Sequence, residues 1–149
     1  MKRFILISVA ALVTTGVAYA AGQPPITAQP LAVGHVTKPF SIDVSKPGDV
    51  LFVQVKIQPG GSFGWHYHRA AVAVAVVAGT LTLYDGSAQN CKAQPMKAGQ
   101  GFIEQANHVH LARNESKTTV RVMVAYLGAP HGKPADVPAK RPAQCSSVT

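Results

Sequence analysis

His66 and His68 stand one residue apart in the stretch GSFGWHYHRA, directly after a glycine-rich turn, in a chain with six histidines. A strand alternates its side chains between two faces. An i, i+2 pair therefore projects both imidazoles to one side, where two neutral ring nitrogens can share one metal ion. Two ordinary polar residues at a strand start would have the same spacing, so one pair decides little. A second pair, His108 and His110, follows in GQGFIEQANHVHLARN, again after a glycine turn. Two such pairs predict that His66, His68 and His110 converge inside a closed β-structure. Three imidazoles would leave open coordination positions for water, dioxygen or substrate.

The elements that must position these residues read as strands. Apolar or alternating runs cover 40–44, 50–57, 70–78, 80–84, 101–103, 108–112 and 118–127. Between them stand the turn signals KPGD, QPGG, YDGS, KAGQ and RNES, and no segment has helical periodicity. The pattern predicts an all-β antiparallel sandwich or barrel and argues against a βαβ fold. In AAVAVAVVAGTLTLYDG the valines and the bounding Gly79 favour a strand buried on both faces. Residues 21–38, rich in Gly, Pro and Gln, read as an extended arm. Residues 128–149, with Pro130, Pro134, Pro138 and Pro142, read as an irregular tail expected to carry no chemistry. Trp65 and Tyr67 should face away from the histidines and pack. Alternation leaves open which of Phe52, Phe63, Phe102, Met123 and Tyr126 line a cavity. Tyr84 to Gly86 reads as a turn, Arg69 and Arg113 as solvated surface, and His35 and His131 are assigned no site.

The first residues, MKRFILISVAALVTTGVAYAAGQ, have the basic start, short apolar core and Ala-x-Ala pattern of a signal peptide over 1–20. The apolar run is too short for a span of about 20 residues. After cleavage no membrane span is expected, and the compartment is periplasmic or secreted. The formal net charge is +8, and removing Lys2 and Arg3 leaves 12 basic against 6 acidic residues. The basic residues are dispersed, which together with export argues against a nucleic-acid partner and for a small-molecule one, anions included. There are two cysteines, Cys91 and Cys145. They are either one disulfide or two free thiols; the oxidising compartment favours the disulfide, and the lack of a CxxC pair removes a thioredoxin-like role. Neither a phosphate-cradling glycine loop nor a G-x-S-x-G elbow is present.

On these residues the chain resembles the cupin superfamily, in particular small secreted single-domain members. Gly60, His66, His68 and Gly79 match the spacing of the first cupin motif, with Val72 where the metal-binding Glu would stand. Gly99, His110 and Asn114 match the second, with Gln105 and Asn107 in place of its Pro and Gly. The resemblance implies a double-stranded β-helix, or jelly-roll, barrel over 39–127. It also implies a divalent transition metal held by His66, His68 and His110: iron first, with zinc, copper, nickel or manganese as alternatives, or a site that has lost its metal. Glu104 and His108 are candidates for an additional ligand or a partner behind the ligands, in compensation for Val72. The implied activity is that of a three-histidine Fe(II) dioxygenase acting on a small molecule. The alternative is a non-catalytic cupin that binds a metal or small ligand. A homodimer fits the resemblance as well.

Overall fold

The computed structural model describes residues 26–148, and its contacts divide the chain at Pro30. Residues 26–30 carry no strand or helix, and the expected signal peptide lies outside the described residues. From Leu31 onward the chain forms β1 (Asp49–Ile57), β2 (Ser62–His68), β3 (Ala71–Ala78), β4 (Thr80–Asp85) and β5 (Gln94–Lys97). These are followed by β6 (Gly101–Glu104), β7 (His110–Arg113), β8 (Val120–Ala129), β9 (Asp136–Pro138) and a 3-10 turn at Ala143–Cys145. One sheet has the order β1-β8-β3-β6 and the other β5-β4-β7-β2-β9, and their strands pair antiparallel. This is the jelly-roll arrangement. Among the described residues no helix is long and apolar enough to cross a membrane.

The sequence AVAVAVVA of β3 shows why the sheets close on each other. Val72, Val74 and Val76 point inward and are buried, while Ala73 and Ala75 face out. Val120, Val122, Val124 and Tyr126 of β8 present the same inner face, and Leu81, Phe102 and Ala112 complete the core between the sheets. A fully buried valine contributes about 1.5–3 kcal/mol. A second, smaller cluster of Tyr84, Leu111, Val148 and the two cysteines lies against Trp65, and its Trp65 and Leu111 alternate with His66 and His110 along β2 and β7. Trp65 thus packs away from the histidines. Cys91 and Cys145 form a disulfide with Cα atoms 5.1 Å apart, tying the tail to the loop after β4. In the chain-entropy account a closure of this length contributes on the order of 4 kcal/mol.

Four segments differ from the expected pattern. Residues 40–44 form no strand. Conversely, β5 and β9 carry Pro95 and Pro138 and still pair. Each is an edge strand of its sheet, the position at which a proline's missing N–H is tolerated. The arm is also not wholly irregular, because His35 bridges Gln100 in parallel, its N–H donating to Gly99 O at 2.8 Å and its carbonyl accepting from Gly101 N at 2.9 Å. Gly34 makes that approach feasible, since a Cβ there would meet Ala75 Cβ and Gly101 Cα at 2.9 Å.

Candidate metal centre

Gly64 prepares the first histidine. Its φ of +69° suits glycine, and the register of β2 against β7 shifts between Ser62 and Trp65, the signature of a bulge. The bulge offers the Gly64 carbonyl to His66, whose Nδ1 donates to it at 2.9 Å. Strand parity then puts His68 on the same face. On β7, His110 lies directly opposite His66 in the register. The ring centroids are 4.4 Å apart for His66 and His110, 4.9 Å for His66 and His68, and 5.0 Å for His68 and His110. One ring nitrogen from each lies within 4.8 Å of the other two, and all three residues are buried, so the group could hold a metal ion.

Each ring is braced from behind by oxygen. His110 Nδ1 donates to the His108 carbonyl at 2.8 Å. His68 Nδ1 faces Asp136 Oδ1 at 3.0 Å and the Ala135 carbonyl at 3.3 Å. With a proton on Nδ1, the free lone pair of each imidazole is at Nε2, the tautomer that a metal requires. On the inner side, His68 Nε2 meets Glu104 Oε2 at 3.1 Å. His110 Nε2 lies 3.1 Å from Glu104 Oε1 without hydrogen-bond alignment, so it is a buried nitrogen with no hydrogen-bond partner. Leaving such a group unsatisfied costs about 1–3 kcal/mol. A buried set of three braced imidazoles and a carboxylate, with one nitrogen orphaned, fits a divalent transition metal.

The carboxylate arrives from an unexpected strand. Val72 occupies the position of the first motif's Glu and is fully buried in β3. In the register its partner on β6 is Glu104, and its partner on β8 is Tyr126. Tyr126, Val72 and Glu104 therefore form one inward-facing row, and Glu104 enters the histidine cluster from one strand farther along, about 5 Å away. At the row's other end the Tyr126 hydroxyl donates to Asp136 Oδ1 at 3.0 Å.

The charges reinforce one another. Burial opposes the His68 cation, but hydrogen bonds with Asp136 and Glu104 outweigh it and raise this imidazole to about 9. Burial likewise opposes the Glu104 anion, and His110 and His68 overcome it, holding the carboxyl at about 2. For His66 burial prevails, with the positive potential of His110 and His68, and keeps the ring below its ordinary value.

His108 is outside this group. The turn before β7 breaks its parity with His110, and its ring Nε2 lies 2.8 Å from Asp85 Oδ1 and 3.0 Å from Ser87 Oγ. Only its carbonyl reaches the cluster, through His110. Asn114 is a structural pin: its Nδ2 donates to the Ile57 and Thr118 carbonyls, both at 2.8 Å. The tail supplies what sequence reasoning missed. Asp136 on β9 stands opposite His68 in the register, and its only sequence context is an aspartate between prolines, which carries no signal. Tyr126 is one of the five residues that alternation leaves open, and the structure places it on the inner face, buried.

A family model described as Cupin domain matches residues 46–126. The chain belongs to the cupin family. No curated protein matches it. Among solved structures, this cupin is similar to a predicted oxalate decarboxylase from Thermotoga maritima, at 26% identity over 52% of this chain and 64% of that one, TM-score 0.45. It is similar in fold to the DMSP lyases RdDddP and RnDddQII, at 21% identity over 61% and 44% of the chains, TM-score 0.52. The polyketide cyclase RemF from Streptomyces resistomycificus shares 18% identity over 71% and 74%, TM-score 0.51. This cupin spans less than two thirds of the length of the first two.

Proposed function

We propose that this cupin is exported by its first 20 residues and holds a divalent transition metal, iron first, through the Nε2 atoms of His66, His68 and His110 and the carboxylate of Glu104. The reading is further that it acts as a dioxygenase-type enzyme on a small molecule. The orphaned, buried His110 Nε2 carries this proposal. Its one close polar neighbour among the described residues, Glu104 Oε1 at 3.1 Å, is not aligned for a hydrogen bond, and a ligand bond would satisfy it. The bound ion would supply Lewis acidity and, as iron, one-electron chemistry at positions the protein leaves open.

The protein's own contribution is arrangement. Gly64, His108 and Asp136 fix the three rings from behind, so that little reorganisation accompanies binding. Glu104 offsets part of the ion's charge. It also accepts the His68 proton contact when the ion is absent, and binding must expel the proton that His68 Nε2 then carries. Val72 and Phe102 keep the inner side apolar. Glu104 and His110 also line an open cavity, although Nε2 of His110 is itself buried.

Elemental analysis of protein purified from the exported compartment tests the metal. The expectation is close to one transition ion per chain in the wild type and almost none in His66→Ala. Mass spectrometry of the same sample should show a chain lacking residues 1–20. Oxygen uptake by the iron-loaded protein with thiols, diketones and phenols tests the enzyme. Uptake no greater than that of free iron would leave the non-catalytic metal-binding cupin as the reading.

A further inference from the structure

The family match ends at residue 126, yet the chain beyond it returns to the histidine cluster. There β9 pairs with β2, setting Pro138 opposite His66 and Asp136 opposite His68. The partners of β2 on β7 end at His66. The end of β2 that carries His68 therefore has its ladder neighbour in the tail, and its other backbone tie is the Asn107 N–H, which donates to the His68 carbonyl at 2.6 Å. The tail also holds the ring: Asp136 Oδ1 and the Ala135 carbonyl lie 3.0 and 3.3 Å from His68 Nδ1. Without β9, one of the three imidazoles would stand on a free edge with nothing behind it.

The attachments of β9 itself are few. It has three residues, one of them Pro138, whose nitrogen cannot donate. The Tyr126 hydroxyl on Asp136 and the Ala139 N–H, which donates to the Trp65 carbonyl at 2.9 Å, add one bond each. The firm anchor comes later in the tail. Cys145, fully buried, is joined to Cys91, and Tyr84, Leu111, Val148 and Trp65 pack around the pair. The turn that carries Cys145 closes the described chain and is held by bonds of short range. Cys145 N–H donates to Pro142 O and Val148 N–H to Cys145 O, both at 2.9 Å, and the Arg141 guanidinium donates to Val148 O at 2.7 Å. A terminal turn of this kind opens more readily than the strands of the core.

We propose that the Cys91–Cys145 disulfide is a redox latch on the metal centre, opened by a dithiol reductant. When the terminal turn opens, one thiolate of the reductant attacks a cysteine sulfur, the S–S bond breaks, and a mixed disulfide forms. The reductant's second thiolate then displaces the remaining cysteine. The products are two cysteine thiols and the reductant's cyclic disulfide, two electrons and two protons having passed from the reductant to the cysteines. The tail is then untied, β9 leaves β2, and His68 loses both Asp136 and its neighbouring strand. An ion held by a ring that is free to turn is bound more weakly. Reoxidation of the two thiols restores the latch. This inference rests on the metal reading above.

Zinc-loaded protein is compared in its disulfide form and after reduction by a water-soluble phosphine, which is then removed without oxygen. Thiol titration verifies the reduction, elemental analysis the starting zinc. A chromogenic chelator reads zinc affinity, and amide hydrogen exchange reads the strands. Reduction is expected to weaken zinc binding about tenfold, to speed exchange in β9 and at the His68 end of β2, and to leave β3 and β8 protected. Asp136→Asn, which lacks the brace in either state, should lose no more than about twofold on reduction. The double variant Cys91→Ser, Cys145→Ser should match the reduced wild type. Unchanged affinity in fully reduced protein, a tenfold loss in Asp136→Asn as well, or lost protection throughout β3 and β8 overturns the latch and leaves the metal reading standing. Zinc content near zero in the disulfide form overturns both.

Discussion

The two histidine pairs have the same spacing and different fates. His66 and His68 lie within β2, so alternation delivers both rings to the inner face. His108 and His110 straddle the beginning of β7: His110 is in the strand and points inward, while His108 is in the preceding turn and pairs with Asp85. Period-2 reasoning holds only inside a paired strand, because it is the ladder that fixes the pleat. Asn107, whose φ is +61°, marks where the chain leaves that regime.

The largest expected effect separates the pairs directly. His66→Ala, His68→Ala and His110→Ala should each lower metal affinity more than a hundredfold, while His108→Ala stays within about twofold, since its carbonyl remains. Competition titration with a chromogenic chelator measures both. Equal losses for His108→Ala and His110→Ala would break the distinction.

A pH experiment on chelator-treated protein sharpens it. An imidazole raised from 6.5 to about 9 stabilises the fold fully below pH 6.5, and the stabilisation fades as pH climbs through about 9. Wild type should therefore exceed His68→Gln by an amount on the order of 3 kcal/mol near pH 6, and the gap should close by pH 10. Urea unfolding at the two pH values checks this, with His108→Gln as the comparison. A gap that is constant with pH would remove the ion-pair account of His68.

Glu104→Gln should weaken metal binding about 10- to 100-fold. The swap Val72→Glu with Glu104→Val, which returns the carboxylate to β3, should recover part of that loss, because the two positions are register partners. No recovery would mean that the neighbouring strand cannot present the carboxylate to the same point. The smallest effect is expected behind His68, where Asp136→Asn should cost about tenfold in metal affinity while the three rings stay in place. Unchanged affinity would reduce Asp136 to a tail anchor.

Much of the scaffold was legible because short-range physics writes it into the chain. The apolar runs and the glycine-bounded turns identify strands, and the histidine spacing puts His66, His68 and His110 inside; that β3 buries its valines and leaves Ala73 and Ala75 half-exposed, where burial on both faces is expected, comes from the structure. β5 and β9 were not legible, since a proline in a three- or four-residue segment counts against a strand until a neighbour makes it an edge. Residues 40–44 failed for the converse reason, having the apolar composition of a strand and no ladder to join.

What the sequence determined alone was parity: which side chains share a face within one strand, a property of the backbone's two-residue repeat. Which strands lie side by side was decided only by the tertiary structure, because pairing partners far apart in the chain are selected by collective burial. That selection put Glu104 next to Val72, Asp136 opposite His68, and the ring of His108 beyond the cluster that its carbonyl braces.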